Sequence, residues 1–158
     1  MEELFPWDFT VVPAKFHLFA SAAGYTLYIT TLGILAGIVT GLVVALAKIS
    51  KRKVLNKLAS VYIFVIRGTP LLLQLFIIYY GLTALVTVPP LASAVIALGI
   101  HNGAYIAEIF RGAIQSIDYG QMEAARSLGM TRGRAMRRIV LPQAFKRAVP
   151  PLGNQFII

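Results

Sequence analysis

The sequence predicts an all-α, polytopic integral membrane helical bundle, and three observations carry that prediction. Apolar residues make up 58% of the 158, charged residues only 13%, and the mean hydropathy is +0.74, values outside the usual range of soluble globular domains. The apolar residues gather into runs long enough to cross a bilayer, which takes about 20 helical residues. The formal charge of +9 rests on only six acidic residues, and the Lys and Arg fall into two blocks between the apolar runs. That arrangement points to a lipid bilayer and not to a nucleic acid as the charged partner. Cysteine is absent, which excludes disulfides and cysteine-ligated zinc and leaves the redox compartment unread. No other metal-ligand set stands out. Met1-Glu2-Glu3 lacks the positive n-region of a cleaved signal peptide, so the first apolar run is expected to be retained.

The first crossing is assigned to residues 22–47, an uncharged stretch from Ala22 to Ala47. Its stripe Gly33, Gly37, Gly41 is a doubled GxxxG that admits a second helix at close range. Packing inside this chain's own bundle and contact with a second chain both explain it, the first more simply. Lys48, Lys51, Arg52, Lys53 and Lys57 then form a basic loop that should face the cytoplasm. The next apolar stretch is split by Arg67-Gly68-Thr69-Pro70. Thr69 is expected to cap a helix opening at Pro70, where a missing N–H costs nothing. This gives a helix over 54–66 near the inner interface and a crossing over 70–86, with a single kinked helix as the alternative. Arg67 would sit at the interface, away from the costly bilayer centre. Thr87-Val88-Pro89-Pro90 reads as a short outer loop.

The third crossing covers residues 91–115 and carries His101, Asn102, Glu108 and Arg111, groups expensive in lipid unless they face protein or water. Glu108 and Arg111 are spaced to pair on one helical face. His101, Tyr105 and Glu108 share a neighbouring face and are candidates for a polar translocation path. Hydrogen-bonded packing explains His101 equally well, and Arg111 suits an interfacial anchor. A further membrane helix begins at 142–158, with Lys146 and Arg147 near the inner surface. Eleven residues follow Arg147. At about 1.5 Å of rise each they fall short of a hydrocarbon core of about 30 Å, and a chain end inside lipid would strand its carbonyls. The expectation is a C-terminally truncated bundle, with the N-terminus extracytoplasmic and both basic loops cytoplasmic.

Between these crossings lies a polar segment, Glu123 to Pro142, written as two helices separated by a glycine. A helix over 119–128 would be capped by Asp118, with Gln121 in capping-box position. Met122, Ala125 and Leu128 form a narrow apolar stripe with no obvious burial inside so short a loop. Glu123 lies near the helix start, where the macrodipole favours an acid. Gly129 suits a left-handed terminating residue, and Thr131 can cap a second helix over 131–141 that carries Arg132, Arg134, Arg137 and Arg138. Small alanines permit close approach by another protein. A plain amphipathic interface helix is the rival reading of this segment.

These residues resemble a known family. Glu123-Ala124-Ala125, Gly129, Ile139, Leu141 and Pro142 match the EAA signature of ABC-importer permease subunits at every signature position. Gly103-Ala104-Tyr105, Glu108-Ile109-Phe110-Arg111-Gly112, Gly120-Gln121, Leu141-Pro142-Gln143-Ala144 and Arg67-Gly68-Thr69-Pro70 with Leu71-Leu72-Leu73-Gln74 are similar to the polar amino acid uptake branch. The resemblance covers residues 22–158. It implies the permease fold of binding-protein-dependent ABC importers, in the plasma (inner) membrane of a bacterium. The helix with Glu123, Ala124, Ala125, Leu128 and Gly129 would be a coupling helix docking onto a separate ABC ATP-binding subunit. ATP and Mg would be bound by that subunit, and no cofactor by this chain, which lacks a GxxxxGK[ST] loop. A second permease chain, identical or related, an extracytoplasmic solute-binding protein and an amino acid substrate are the other implied partners. The rivals are a channel or ion-coupled carrier that needs no ATPase, and a membrane-anchored interaction or sensor protein.

Overall fold

A computed structural model describes residues 11–83 and 85–157. Met1-Glu2-Glu3, Ala84 and Ile158 lie outside the described residues, so the expectations that touch them carry no structural account. Among the described residues the regular structure is helical, with no strand. A single turn, α1 (Val11–Ala14), precedes α2 (Phe16–Lys48). The helix α2 starts six residues ahead of the expected 22, because Phe16 to Ser21 contains neither a charge nor a helix breaker. Its 33 residues extend about 50 Å, longer than a hydrocarbon core.

The helix α5 (Pro90–Gln115) opens on a proline at its first turn, where no N–H is lost, and is the shared centre of the bundle. It meets α2 along the glycine stripe. A Cβ added at Gly33 would come within 2.6 Å of Leu98 Cβ, at Gly37 within 2.9 Å of Asn102 Cβ, and at Gly41 within 2.6 Å of Ile106 Cγ2. Gly99 and Gly103 return the fit against Ala36 and Thr40. Thr40 Oγ1 lies 3.0 Å from Gly99 O across the interface and 3.0 Å from Ala36 O on its own helix. Its one proton is shared between the two. The glycine stripe is therefore spent inside this chain. Contact positions rise together along both helices, so α2 and α5 run parallel, and their C-terminal ends lie on one side of the bundle. The two basic segments that follow those ends share that side.

Between them the chain returns through α3 (Lys53–Arg67), α4 (Leu71–Phe76) and a π-helical turn at Ile77–Gly81. The α3 axis and the Leu71–Gly81 segment are bent by 104°. Thr69 does not cap α4. Pro70 holds the N-cap position in an extended conformation, and Thr69 Oγ1 bonds back to Val65 O at 3.0 Å. The expected crossing over 70–86 also stops early, at Gly81. A turn follows in which both the backbone N–H and the hydroxyl of Thr83 reach Tyr80 O.

After α5 come α6 (Tyr119–Ser127) and α7 (Arg132–Ala135), and α7 passes through a π-helical turn at Met136–Val140 into α8 (Leu141–Ile157). The separate helices expected over 131–141 and 142–158 are thus one continuous rod. The π turn sits directly before Pro142, whose ring lacks an N–H and crowds the carbonyl four residues back. A wider turn there absorbs the mismatch. Phe110 stacks on Phe145, Asn102 meets Gln155, and Ser116 accepts from Arg147. Those pairs make α8 antiparallel to α5, with Ala144 and Ala148 buried between them.

Because the α2–α5 approach leaves no room for a side chain, Gly41→Leu should cost about 1–3 kcal/mol by overpacking and lower the melting temperature in detergent. Gly24→Leu, where a Cβ meets nothing within 4 Å, should melt like the parent. Equal melting of the two variants would refute the packing assignment.

Candidate functional site

The loop helix α6 is built by short-range hydrogen bonds. Asp118 Oδ1 accepts from Gly120 N at 2.7 Å, which satisfies one orphan donor of the first turn. Gln121 does not close a capping box, because its Oε1 accepts instead from Gln143 Nε2 at 3.4 Å and ties α6 to α8. At the other end Gly129 N donates to Arg126 O and Met130 N to Ala125 O, with Gly129 at φ +80°. That is the paired-bond termination a left-handed glycine permits. Thr131 Oγ1 accepts from Arg134 N at 3.4 Å and starts α7.

The apolar stripe of α6 divides. Met122 and Ala125 are buried at 9% and 4% exposure, in one cluster with Ile114, Ile117, Ala135 and Val140. Leu128 is 81% exposed. The expectation that the stripe has no burial within the loop is therefore corrected: the end of α5 and the π turn before α8 supply it. Of the proposed docking residues, Ala125 faces inward and seats the helix. Glu123, Ala124, Leu128 and Gly129 face outward, joined by the exposed Tyr119. A cavity of about 550 Å³ opens beside them, lined by Asp118, Tyr119, Arg126, Arg132 and Met136 among others.

A second polar constellation sits at the α3–α4 break. The Gln74 side chain is 7% exposed, and its Nε2 reaches Thr69 Oγ1 at 2.8 Å, Ile66 O at 2.9 Å and Thr69 O at 3.2 Å. These bonds satisfy the end of α3 and pin the bend. Gln74 Oε1 meets His101 Nδ1 at 3.3 Å. An amide oxygen only accepts, so Nδ1 is the assigned N–H of that ring. The rings of His101 and Tyr105 lie 5.1 Å apart, and the Arg67 guanidinium stands 4.9 Å over the Tyr105 ring, a cation–π distance. Glu108 is turned to Arg111, its Oε2 accepting from Nε at 2.9 Å and Nη2 at 2.6 Å. Arg111 Nη1 continues to Gln115 at 2.6 Å.

His101 and Tyr105 are thus brought together with Arg67 and Gln74, while Glu108 is neutralised by its own helix. Sequence reasoning left Arg67 as an interfacial charge and did not single out Gln74. The signal was there: a lone amide in the apolar run Leu71-Leu72-Leu73-Gln74-Leu75-Phe76 needs partners in a membrane. Among the described residues no three His, Cys, Asp or Glu side chains group to hold a metal ion.

The model of a family described as the binding-protein-dependent transport system inner membrane component matches residues 33–158. The chain belongs to this family. This inner-membrane component is 44% identical to the L-cystine transport system permease protein TcyB of Bacillus subtilis (strain 168), over 96% of this chain and 65% of that protein. It is 40% identical to the glutamine transport system permease protein GlnP of Escherichia coli (strain K12), over 96% of this chain and 71% of that one. The chain therefore spans about two thirds of the length of these relatives. A solved structure described as the crystal structure of an amino acid ABC transporter with histidines is 47% identical and superposes with a TM-score of 0.86. That match covers 97% of this chain and 72% of the other. The membrane-bundle fold read from the sequence is the fold of this family.

Gln74→Leu should leave the Ile66 and Thr69 oxygens without their donor and cost about 1–3 kcal/mol. Spin labels at the exposed Val61 and Leu72 should then report a broader distance distribution across the bend. An unchanged distribution would show that Gln74 does not hold it.

Proposed function

We propose that this chain acts as the membrane-spanning permease subunit of an ATP-driven ABC importer for polar amino acids. The single observation that carries the reading is α6. Met122 and Ala125 lock it to the bundle, while Glu123, Ala124, Leu128 and Gly129 are left outward, uncovered by any of the described residues. A helix anchored on one face and free on the other can transmit the movement of whatever docks on it. The proposed partner is a separate ABC ATP-binding subunit, which binds the ATP and Mg. Its closure would move α6, and through α5 and α8 would switch the pathway between outward- and inward-facing states. Relatives named as permeases for cystine and for glutamine support an amino acid as the substrate.

The common side shared by the basic segments after α2 and α5 supports a cytoplasmic EAA loop and an extracytoplasmic N-terminus, because Lys and Arg concentrate on the inner face. A second permease chain, identical or related, would complete the pathway, and an extracytoplasmic solute-binding protein would deliver the substrate. His101 and Tyr105, with Arg67 and Gln74 beside them, form the proposed polar lining of that pathway. Glu108 contributes through its Arg111 pair.

Reconstitution with candidate ATPase and binding-protein partners, scored by ATP-dependent uptake of labelled amino acids, tests the assignment. Uptake that needs no ATPase would replace it with a channel or ion-coupled carrier, and partner binding without uptake would favour an interaction protein. In the same assay Glu123→Lys and Gly129→Pro should lower uptake by on the order of tenfold or more, matching a coupling of about 1.4 kcal/mol or above. Co-purification of the ATPase subunit should weaken while membrane insertion stays intact. Normal uptake by inserted Glu123→Lys protein would remove the docking role. His101→Ala should raise the substrate concentration needed for half-maximal uptake. An unchanged value would return His101 to a packing role.

A further inference from the structure

The rod that carries the chain from the loop into α8 displays a cationic feature that the docking helix does not use. Arg134, Arg137 and Arg138 occupy adjoining positions, three and four residues apart, and with Gly133 they line a cavity of about 530 Å³. All three arginines are exposed, and a Cβ at Gly133 would meet nothing within 4 Å, so the cavity floor is open. Among the described residues their guanidinium groups enter no ion pair and no side-chain hydrogen bond. Arg111, by contrast, is fully engaged by Glu108 and Gln115. Three uncompensated cations around one cavity repel one another, and a multiply accepting anion relieves that repulsion. Guanidinium forks match phosphate oxygens in geometry as well as charge.

The location selects the source of the phosphate. Arg138 lies three residues before Leu141, the first residue of α8, on a helix without a break. Further along the same rod the apolar side chains of Phe145 and Val149 are 54% and 52% exposed, surface suited to acyl chains. A cationic cavity that continues into exposed apolar surface fits a molecule with a phosphate at one end and hydrocarbon at the other. Clustered arginines beside the cytoplasmic end of a membrane helix are placed to recognise anionic headgroups.

We propose that Gly133, Arg134, Arg137 and Arg138 form a binding site for the phosphate headgroup of an anionic phospholipid of the inner leaflet. The leaflet assignment rests on the orientation proposed above. The headgroup contact does not, and the test below uses nanodiscs with the same lipids in both leaflets so that the two can fail separately. A bound lipid here would tether the rod directly behind the docking helix and fix the depth of α8 in the bilayer.

The full chain is placed in nanodiscs of mixed phosphatidylglycerol and phosphatidylcholine, and the lipids retained after release into detergent are counted by native mass spectrometry. The parent should retain phosphatidylglycerol preferentially. The triple variant Arg134→Gln/Arg137→Gln/Arg138→Gln should lose that preference by at least about fivefold, the effect of even one near-surface cation. A charge-matched variant, Lys51→Gln/Arg52→Gln/Lys53→Gln, removes three exposed cations from the other basic segment and should keep the preference. Equal loss in both variants would reduce the site to diffuse surface charge and overturn the proposal. So would an unchanged preference in the arginine variant. Loss of ATPase-subunit retention with lipid retention unchanged would assign the arginines to a protein partner. Displacement of the retained lipid by millimolar inorganic phosphate, with no discrimination between the two lipids, would assign them to the free anion. Labelling a cysteine introduced at Thr131 from one side of sealed vesicles tests the orientation independently.

Discussion

The parallel contact between α2 and α5 is the constraint from which the rest of the architecture follows. In lipid, apolar side chains gain little by leaving their surroundings for one another, so helices associate through close packing and interhelical hydrogen bonds. Gly33, Gly37 and Gly41 on one helix and Gly99 and Gly103 on the other remove the atoms that would hold the two apart. Thr40 then reaches the Gly99 carbonyl across the gap. Two parallel neighbours need an intervening return path, which the bent α3–α4 segment provides. Their shared polarity also brings the basic segments after Lys48 and after Gln115 to one side of the bundle. The common side of the two basic segments is thus a consequence of packing and agrees with the charge distribution.

The same central helix divides its faces among several tasks. Its glycines and small residues face α2, and Phe110 meets Phe145 on α8. His101 and Tyr105 turn toward the break between α3 and α4, where Gln74 and Arg67 wait. Ile114 on its last turn and Ile117 just beyond it form the floor on which Met122 and Ala125 of α6 sit. A displacement of α6 is therefore delivered to α5 at its end, and the polar cluster stands on that same helix a few turns away. Under the proposed function, this contiguous packing is the route by which the two would be coupled. That cluster adjoins the 104° break pinned by Gln74.

Much of this was legible in the chain because membrane sequences are written in coarse symbols. Long uncharged runs, the glycine stripe, the Glu108–Arg111 spacing and the left-handed requirement at Gly129 each rest on local physics, and each has a direct counterpart in the structure. What was not legible depended on neighbours distant in sequence. Thr69 had the chemistry of a cap, yet the carbonyls at the end of α3 and the amide of Gln74 compete for its hydroxyl. The helix expected to reach residue 86 ended at Gly81. Pro142 looked like a start signal, but a π turn lets the rod pass through it. In all three the local preference was real and a tertiary or backbone alternative outweighed it.

The division of the α6 stripe shows why that distinction bears on function. Periodicity groups Met122, Ala125 and Leu128 as equals, since all three recur on one face. Burial separates them, because Ile117 and Val140 cover the first part of the stripe and leave Leu128 free. A docking helix whose whole apolar face were exposed would be held to its bundle by its ends alone, and would bend when pushed. One whose apolar residues were all buried would offer a partner only charge. With Met122 and Ala125 inward and Glu123, Ala124 and Leu128 outward, α6 is stiffly mounted and still presents a mixed acidic and apolar surface. Gly129 closes the helix with a left-handed residue at the edge of that surface, where no side chain intrudes. Under the proposed docking role, force applied at Glu123 or Leu128 would act on a helix packed against the end of α5 and the turn that leads into α8.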